Sequence, residues 1–207
     1  MICAVVGHPA RIVQATDLAR SIGGVLALDD GRGPEANHLA AWHATAHRPA
    51  SWSCVLEDDA LPVTGFTEQA EIALAAAPTP VVSFYLGKGM PPRWQHRIHG
   101  ALQLADRETA HWITTSHVLH AVAVAIRTEL VADWLDWAPD SKLPADERLS
   151  AWCKTRGHRV AYTVPSLVEH ADGPTVMRHR DQQPRTVPRI AWRTGTRETW
   201  NSKAVSM

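Results

Sequence analysis

No stretch of this chain approaches the ~20 consecutive apolar residues that a membrane-spanning helix needs, so no membrane partner is expected. The N-terminus lacks a basic region followed by a long apolar segment, which argues against a secretory leader. Cysteine is scarce: Cys3, Cys54 and Cys153 are far apart, odd in number and form no C-x-x-C pair. They read as reduced core residues, and their use points to a cytoplasmic protein. Net charge is missing too, since 21 basic residues face 21 acidic ones. That balance removes any global signal for a polyanionic partner and leaves only local ones. There is no G-x-G-x-x-G fingerprint of dinucleotide binding, no internal repeat and no low-complexity segment.

What is present suits one domain, or two small lobes around one sheet: 207 residues, 45% of them hydrophobic. Twelve His and nine Trp are high for this length. Tryptophan is often used where an apolar face meets a polar ligand.

In order, Ile2 to Val6 reads as a strand ending at Gly7-His8-Pro9. Residues 10–22 carry apolar positions at helical spacing, and Gly23-Gly24 stops them. GVLALDD is a second strand ending in Asp29 and Asp30. Together these form the first half of a Rossmann-like unit, with the stretch after Gly7 and His8 able to face a nucleotide. Asp29 and Asp30 can hydrogen-bond a base or ribose, or can simply form an Asp-Asp-Gly turn. Pro34 and Glu35 open a helix. Its His43 and His47 share a face, but Ala44 stands where a zincin needs Glu, so the pair reads as helix surface.

The stretch SWSCVLEDDALPVTGF, residues 51–66, is the centre of the chain. An apolar run from Trp52 to Leu56 ends abruptly in Glu57, Asp58 and Asp59. Carboxylates gathered at the end of a buried strand repel one another. A divalent cation relieves that repulsion, and carboxylate oxygens suit Mg²⁺ or Mn²⁺. A solvated turn favouring the next helix is the other reading of the same residues. Beyond it, 65–77 reads as a helix and Val81 to Leu86 as a strand. KGMPPRWQHRIHG, residues 88–100, has two prolines and no acid and reads as a basic loop. Its Lys88, Arg93, Trp94 and Arg97 could grip phosphates and stack a base. Residues 111–126 look like one or two strands, and a helix begins near Thr128. In LPADERLSAWCKTRGHRVAYTVPSLVEH, residues 143–170, Asp146 and Glu147 open an amphipathic helix that Gly157 stops; a strand follows, then His170. The tail, residues 177–203, holds six Arg and one Lys against one Asp and one Glu, with Trp192 and Trp200 interleaved.

The Glu57-Asp58-Asp59-Ala60 strand end and the 143–170 segment resemble nucleotide-sugar glycosyltransferases of the GT-A type. The particular similarity is to the lipooligosaccharide and collagen galactosyltransferase-like family. The resemblance implies an α/β, GT-A-like (Rossmann-like) mixed sheet flanked by helices. It implies a catalytic domain over residues 1–176, with a nucleotide-sugar half (1–86) and an acceptor half (87–176), followed by a basic tail over 177–207. It implies a UDP-sugar donor and Mn²⁺ or Mg²⁺ held by Asp59 and His170. Glu57, Asp58, Asn37 and His38 would contact the nucleotide or metal-bound water. Asp146, with Glu147 as its neighbour, would be the general base for inverting transfer to a hydroxyl.

The two Arg/Trp-bearing elements suggest a duplex DNA acceptor bearing a 5-hydroxymethylpyrimidine, as in compact bacteriophage enzymes of this fold. A glycan, lipooligosaccharide or protein hydroxyl is the alternative. Readings of other classes are a non-catalytic nucleic-acid-binding α/β protein and a metal-dependent phosphoesterase or nucleotidyltransferase.

Overall fold

A computed structural model describes residues 1–46, 48–173 and 187–207. The strands are β1 (Ile2–Gly7), β2 (Val25–Leu28), β3 (Trp52–Glu57), β4 (Ala60–Pro62), β5 (Val81–Ser83), β6 (Trp112–Thr115), β7 (Ala123–Arg127), β8 (Val160–Thr163), β9 (Val168–His170) and β10 (Ala204–Ser206). The helices are α1 (Ile12–Ser21), α2 (Pro34–Ala46), α3 (Phe66–Ala75), α4 (Pro92–Glu108), α5 (Thr128–Trp137) and α6 (Ala145–Arg156). Eight strands form one mixed sheet in the order β10-β6-β8-β5-β7-β3-β1-β2, while β4 and β9 pair separately.

β1 is parallel to β2 and β3, and β5 is parallel to β8. β7 runs antiparallel between β3 and β5, and β8 pairs antiparallel with β6. The C-terminal ends of β1, β2, β3, β5 and β8 therefore lie along one edge of the sheet. Ligand sites of open α/β sheets lie outside such an edge. The expected α/β class and flanking helices are thus present.

Successive strand residues alternate between two apolar layers, as the period of two requires. On β3 and β7, Cys54, Leu56, Ala123 and Ala125 join α1 and α3 on one face. Val55, Val124 and Ile126 join α2, α4, α5 and α6 on the other. Much of the tryptophan belongs to this packing. Trp42, Trp112, Trp134 and Trp152 are fully buried, and Trp134 meets Trp152 edge-on with centroids 5.6 Å apart. Trp152 also donates its indole N–H to Asp133. The cysteines are free and buried, as expected.

One reading needs correction. Residues 88–100 are not a loop, because α4 begins at Pro92. Both prolines stand at the helix start, where a missing N–H costs nothing. Trp94, Ile98, Ala101, Leu102 and Ala105 then fall on one buried stripe. Trp94 is thus a core residue, only 8% exposed, and not an open stacking platform. The described part of the tail packs back onto the domain. Lys88 donates its backbone N–H to Ile190, and Trp192 donates to Leu86. β10 then pairs parallel with β6 and closes that sheet edge. Arg178, Arg180 and Arg185 of the tail, and His47, lie outside the described residues. Among the described residues, no helix is long and apolar enough to cross a membrane.

Replacing Trp152 by Ala should lower the unfolding free energy by about 3–5 kcal/mol, the usual cost of emptying a large buried aromatic site. Urea denaturation followed by circular dichroism measures it. A loss within experimental error of zero would mean that Trp152 is not a packing residue.

Candidate active site

A cleft of about 610 Å³ opens along the shared strand edge. Gly7 and His8 at the end of β1, Asp29 after β2, Glu57 to Asp59 at the end of β3 and Tyr85 after β5 line it. Asp146 and Glu147 at the start of α6, Lys88, His170 and Arg189 contribute the rest.

Each of these is positioned by local chemistry. Space is tight at Gly7: a Cβ there would stand 2.8 Å from Leu26 Cδ1 and 3.0 Å from the Ala15 Cβ, so those side chains would have to shift. The Gly7 carbonyl accepts from Asn37 Nδ2 at 3.0 Å and from the Asp29 N–H at 2.9 Å, so Asn37 holds the loop and has its amide N–H engaged there. Asp29 Oδ1 accepts from the N–H groups of Gly31 and Gly33. Both glycines have positive φ, so the turn reading holds for Asp29, although it also lines the cleft. Asp30 is exposed, pairs with Arg32, and does not line the cleft.

The acidic strand end is strongly compensated. The His8 N–H donates to Asp58 Oδ2 at 2.7 Å. Arg11 Nη1 donates to Asp58 Oδ1 at 2.9 Å and to Asp59 Oδ2 at 2.7 Å. His38 Nε2 lies 3.3 Å from Glu57 Oε1. Burial works to raise the Glu57 carboxyl, yet His38, with His170 and His120 behind it, holds it below its ordinary value. Asp59 goes the other way, raised by burial and by the charge of Glu57 against the pull of His170 and Arg11.

Asp59 and His170 do converge. β4 pairs with β9 so that Ala60 faces His170, and the Ala171 N–H donates to the Asp59 carbonyl. This register brings His170 Nε2 within 3.5 Å of Asp59 Oδ2. Asp59 Oδ1 and His170 Nδ1 are both buried without a hydrogen-bond partner among the described residues. Buried polar atoms normally have partners, so the pair has coordinating capacity to spare. One carboxylate and one imidazole, with other positions left for phosphate oxygens and water, suit Mn²⁺ or Mg²⁺. Among the described residues no group of three or more His, Cys, Asp or Glu gathers that could hold a metal ion.

Asp146 also lines the cleft, and burial and the charge of Glu57 push its carboxyl up to about 6. Glu147 is exposed and lies at the rim. Lys88 lines the cleft, whereas Arg93 and Arg97 are exposed on α4 outside it.

Sequence reading missed Arg11, Tyr85, His120 and Arg189 as wall residues. Arg11 looked like the start of a helix, and its one available signal was its place directly after β1. Tyr85 is buried beside His120, with ring centroids 5.1 Å apart. Burial pushes the His120 imidazole down to about 4, so it is neutral, and its Nε2 lies 3.0 Å from the Met90 carbonyl.

Substituting Arg11 by Met should destabilise the fold by about 1.5–3 kcal/mol, the range for hydrogen bonds to charged groups. Asp59 has a folded-state pKa above its unfolded value, so protonation relieves the crowding. The deficit should therefore be full above that pKa and shrink as pH falls through it. Thermal unfolding of both proteins across pH 4 to 8 checks this; a pH-independent difference would show that Arg11 does not neutralise the acids.

Comparison with known proteins leaves this arrangement to be read from its own chemistry: no protein-family model matches the chain, and no curated protein matches it.

Proposed function

We propose that this chain is a metal-dependent glycosyltransferase that moves a sugar from a nucleotide diphosphate donor, a UDP-sugar, to a hydroxyl with inversion. One observation carries the reading: Asp59 and His170, from distant parts of the chain, meet in a cleft that Asp146 also lines, its carboxyl pushed up to about 6. A diphosphate brings the negative oxygens that a two-residue metal site lacks. A bound Mn²⁺ or Mg²⁺ supplies Lewis-acid stabilisation of the charge that collects on the departing diphosphate.

The chain's own residues do the rest. Lys88 and Arg189 bring positive charge to the cleft that would receive the phosphates. Glu57 and Asp58 would position the donor's ribose or water held at the metal. Asp146 accepts the proton of the acceptor hydroxyl as its oxygen bonds to the anomeric carbon, and the bond from that carbon to the diphosphate oxygen breaks. A base with a pKa near the working pH suits this task. Glu147, at the rim and in water, is less suited.

Because Asp146 must be ionised to act, kcat/KM should rise with pH and level off above about 6. Asp146→Asn should keep donor binding and lose about 10²–10⁴-fold in transfer. A thermal-shift panel of nucleotide sugars with and without Mn²⁺ tests the donor half. No metal-dependent stabilisation by any sugar nucleotide would sink the reading, and full turnover by Asp146→Asn would move the base to Glu147.

A further inference from the structure

Two neutral polar tips in the main cleft are left without partners, and the chemistry above uses neither. Tyr85, which follows β5, is 2% exposed, and its Oη has no hydrogen-bond partner among the described residues. His120, between β6 and β7, bonds to the Met90 carbonyl through Nε2. A carbonyl can only accept, so Nε2 carries the ring proton. Burial keeps the imidazole neutral, which leaves Nδ1 with a bare lone pair and no partner among the described residues. Both residues line the cleft. A buried polar group normally finds its partner within the protein, so these two are set up for a partner that arrives in the cleft.

The two tips are held close together. Their rings meet edge to face, with centroids 5.1 Å apart. Gly87 passes beside both: a Cβ there would stand 2.6 Å from His120 Nε2 and 2.9 Å from Tyr85 Oη. The Tyr85 ring also lies 6.0 Å from that of His170, centroid to centroid, which places the pair next to Asp59 and His170. Leu119 and Ala121 flank His120 in the chain, and with Met90 and Pro91 they add apolar surface to the lining. Hydrogen bonds made against such a surface are strengthened by the low local dielectric.

We propose that Tyr85 and His120 are specificity-determining residues that read the hydroxyls of an uncharged sugar ring, Tyr85 Oη donating to one sugar oxygen and His120 Nδ1 accepting from a sugar O–H. The inference rests on the transferase reading for the identity of that ring as the donor's sugar, but not for the hydroxyl recognition itself. Other groups suit the pair less well. A carboxylate or phosphate oxygen can only accept, so it has no proton to give His120 Nδ1. It would also meet the field of Glu57, which already acts on both residues. An ammonium can only donate and leaves the Tyr85 proton without an acceptor. A hydroxyl both gives and takes, and a sugar ring adds C–H surface to set against Met90, Pro91 and Leu119. The pair therefore selects a neutral hexose over a uronate.

The test is isothermal titration calorimetry of the full chain with Mn²⁺ and four probes: UDP, UDP-glucose, UDP-galactose and UDP-glucuronate. At least one neutral hexose nucleotide should bind more tightly than UDP, and the glucuronate should gain nothing from its sugar. Tyr85→Phe keeps the ring and removes only the hydroxyl. It should weaken binding of the preferred hexose nucleotide about 2- to 10-fold, the worth of one neutral hydrogen bond, and leave UDP affinity unchanged. His120→Phe should do the same. A residue that served only packing would weaken UDP and the hexose nucleotide equally. A second arm needs no nucleotide: saturation-transfer NMR with methyl glucoside and methyl galactoside should show contact with the wild type and less of it with Tyr85→Phe.

Three outcomes would overturn the inference and leave the transferase reading in place: equal losses for UDP and the hexose nucleotide, a Tyr85→Phe variant with the full hexose preference, or a glucuronate that binds more tightly than either hexose. Glycoside contact that Tyr85→Phe removes, with no uridine nucleotide bound, would uphold this site and remove the transferase reading. Neither glycoside contact nor nucleotide binding would remove both.

Discussion

Three carboxylates at the end of one buried strand set the terms for this molecule. Two like charges about 4 Å apart repel by about 4 kcal/mol at the effective dielectric near a protein surface, a sizeable share of a domain's net stability. β3 can end in Glu57, Asp58 and Asp59 because compensation arrives from three other elements. Arg11, just before α1, bridges Asp58 and Asp59; His38 of α2 meets Glu57; His170 of β9 meets Asp59. Each compensator also ties its own element to the end of β3, so the electrostatics and the geometry of the cleft are one problem. The compensation stops short at Asp59, where one buried oxygen is left without a partner among the described residues. A cation-bearing ligand would complete what the protein leaves incomplete there.

The scaffold serves that edge. Strands that run the same way deliver their C-terminal loops side by side, and Asn37 and the Asp29 backbone both hold the Gly7 carbonyl. On the far side Glu169 acts as a clasp. Its carboxylate accepts from the His170 and Ala191 N–H groups and from Thr194 Oγ1. The described C-terminal segment is thereby pinned beside His170, and Arg189 is brought to the cleft wall. The same segment seats Trp192 against α4 and Lys88. Tryptophan thus has two uses here. Trp134 and Trp152 fill the core, whereas Trp192 stays partly open beside charge.

Much of the fold was legible in residue order because burial leaves a local imprint. Continuous apolar runs in β1 and β3, helical spacing in α1 and α5, and the glycine after α6 each report what an element must hide. The same logic misled over residues 88–100. Prolines and charges dominated the stretch, and the apolar stripe of α4 becomes regular only past Trp94. The candidate site was legible where its residues sit at element ends: Asp59 after β3, Asp146 in the first turn of α6, His170 closing β9.

Residue order by itself therefore determined most of the strands and helices, α4, β4 and β10 excepted, and which carboxylates stand at their ends, because those properties depend on neighbours in the chain. Tertiary structure alone decided that His170 reaches Asp59, that an arginine after β1 takes up the charge of two acids, and that Trp192 lies against Lys88 and α4. Those contacts depend on how the β4–β9 pairing and the returning C-terminal segment close in space. Electrostatic compensation is sensitive to distance in three dimensions, which no local pattern of residues encodes.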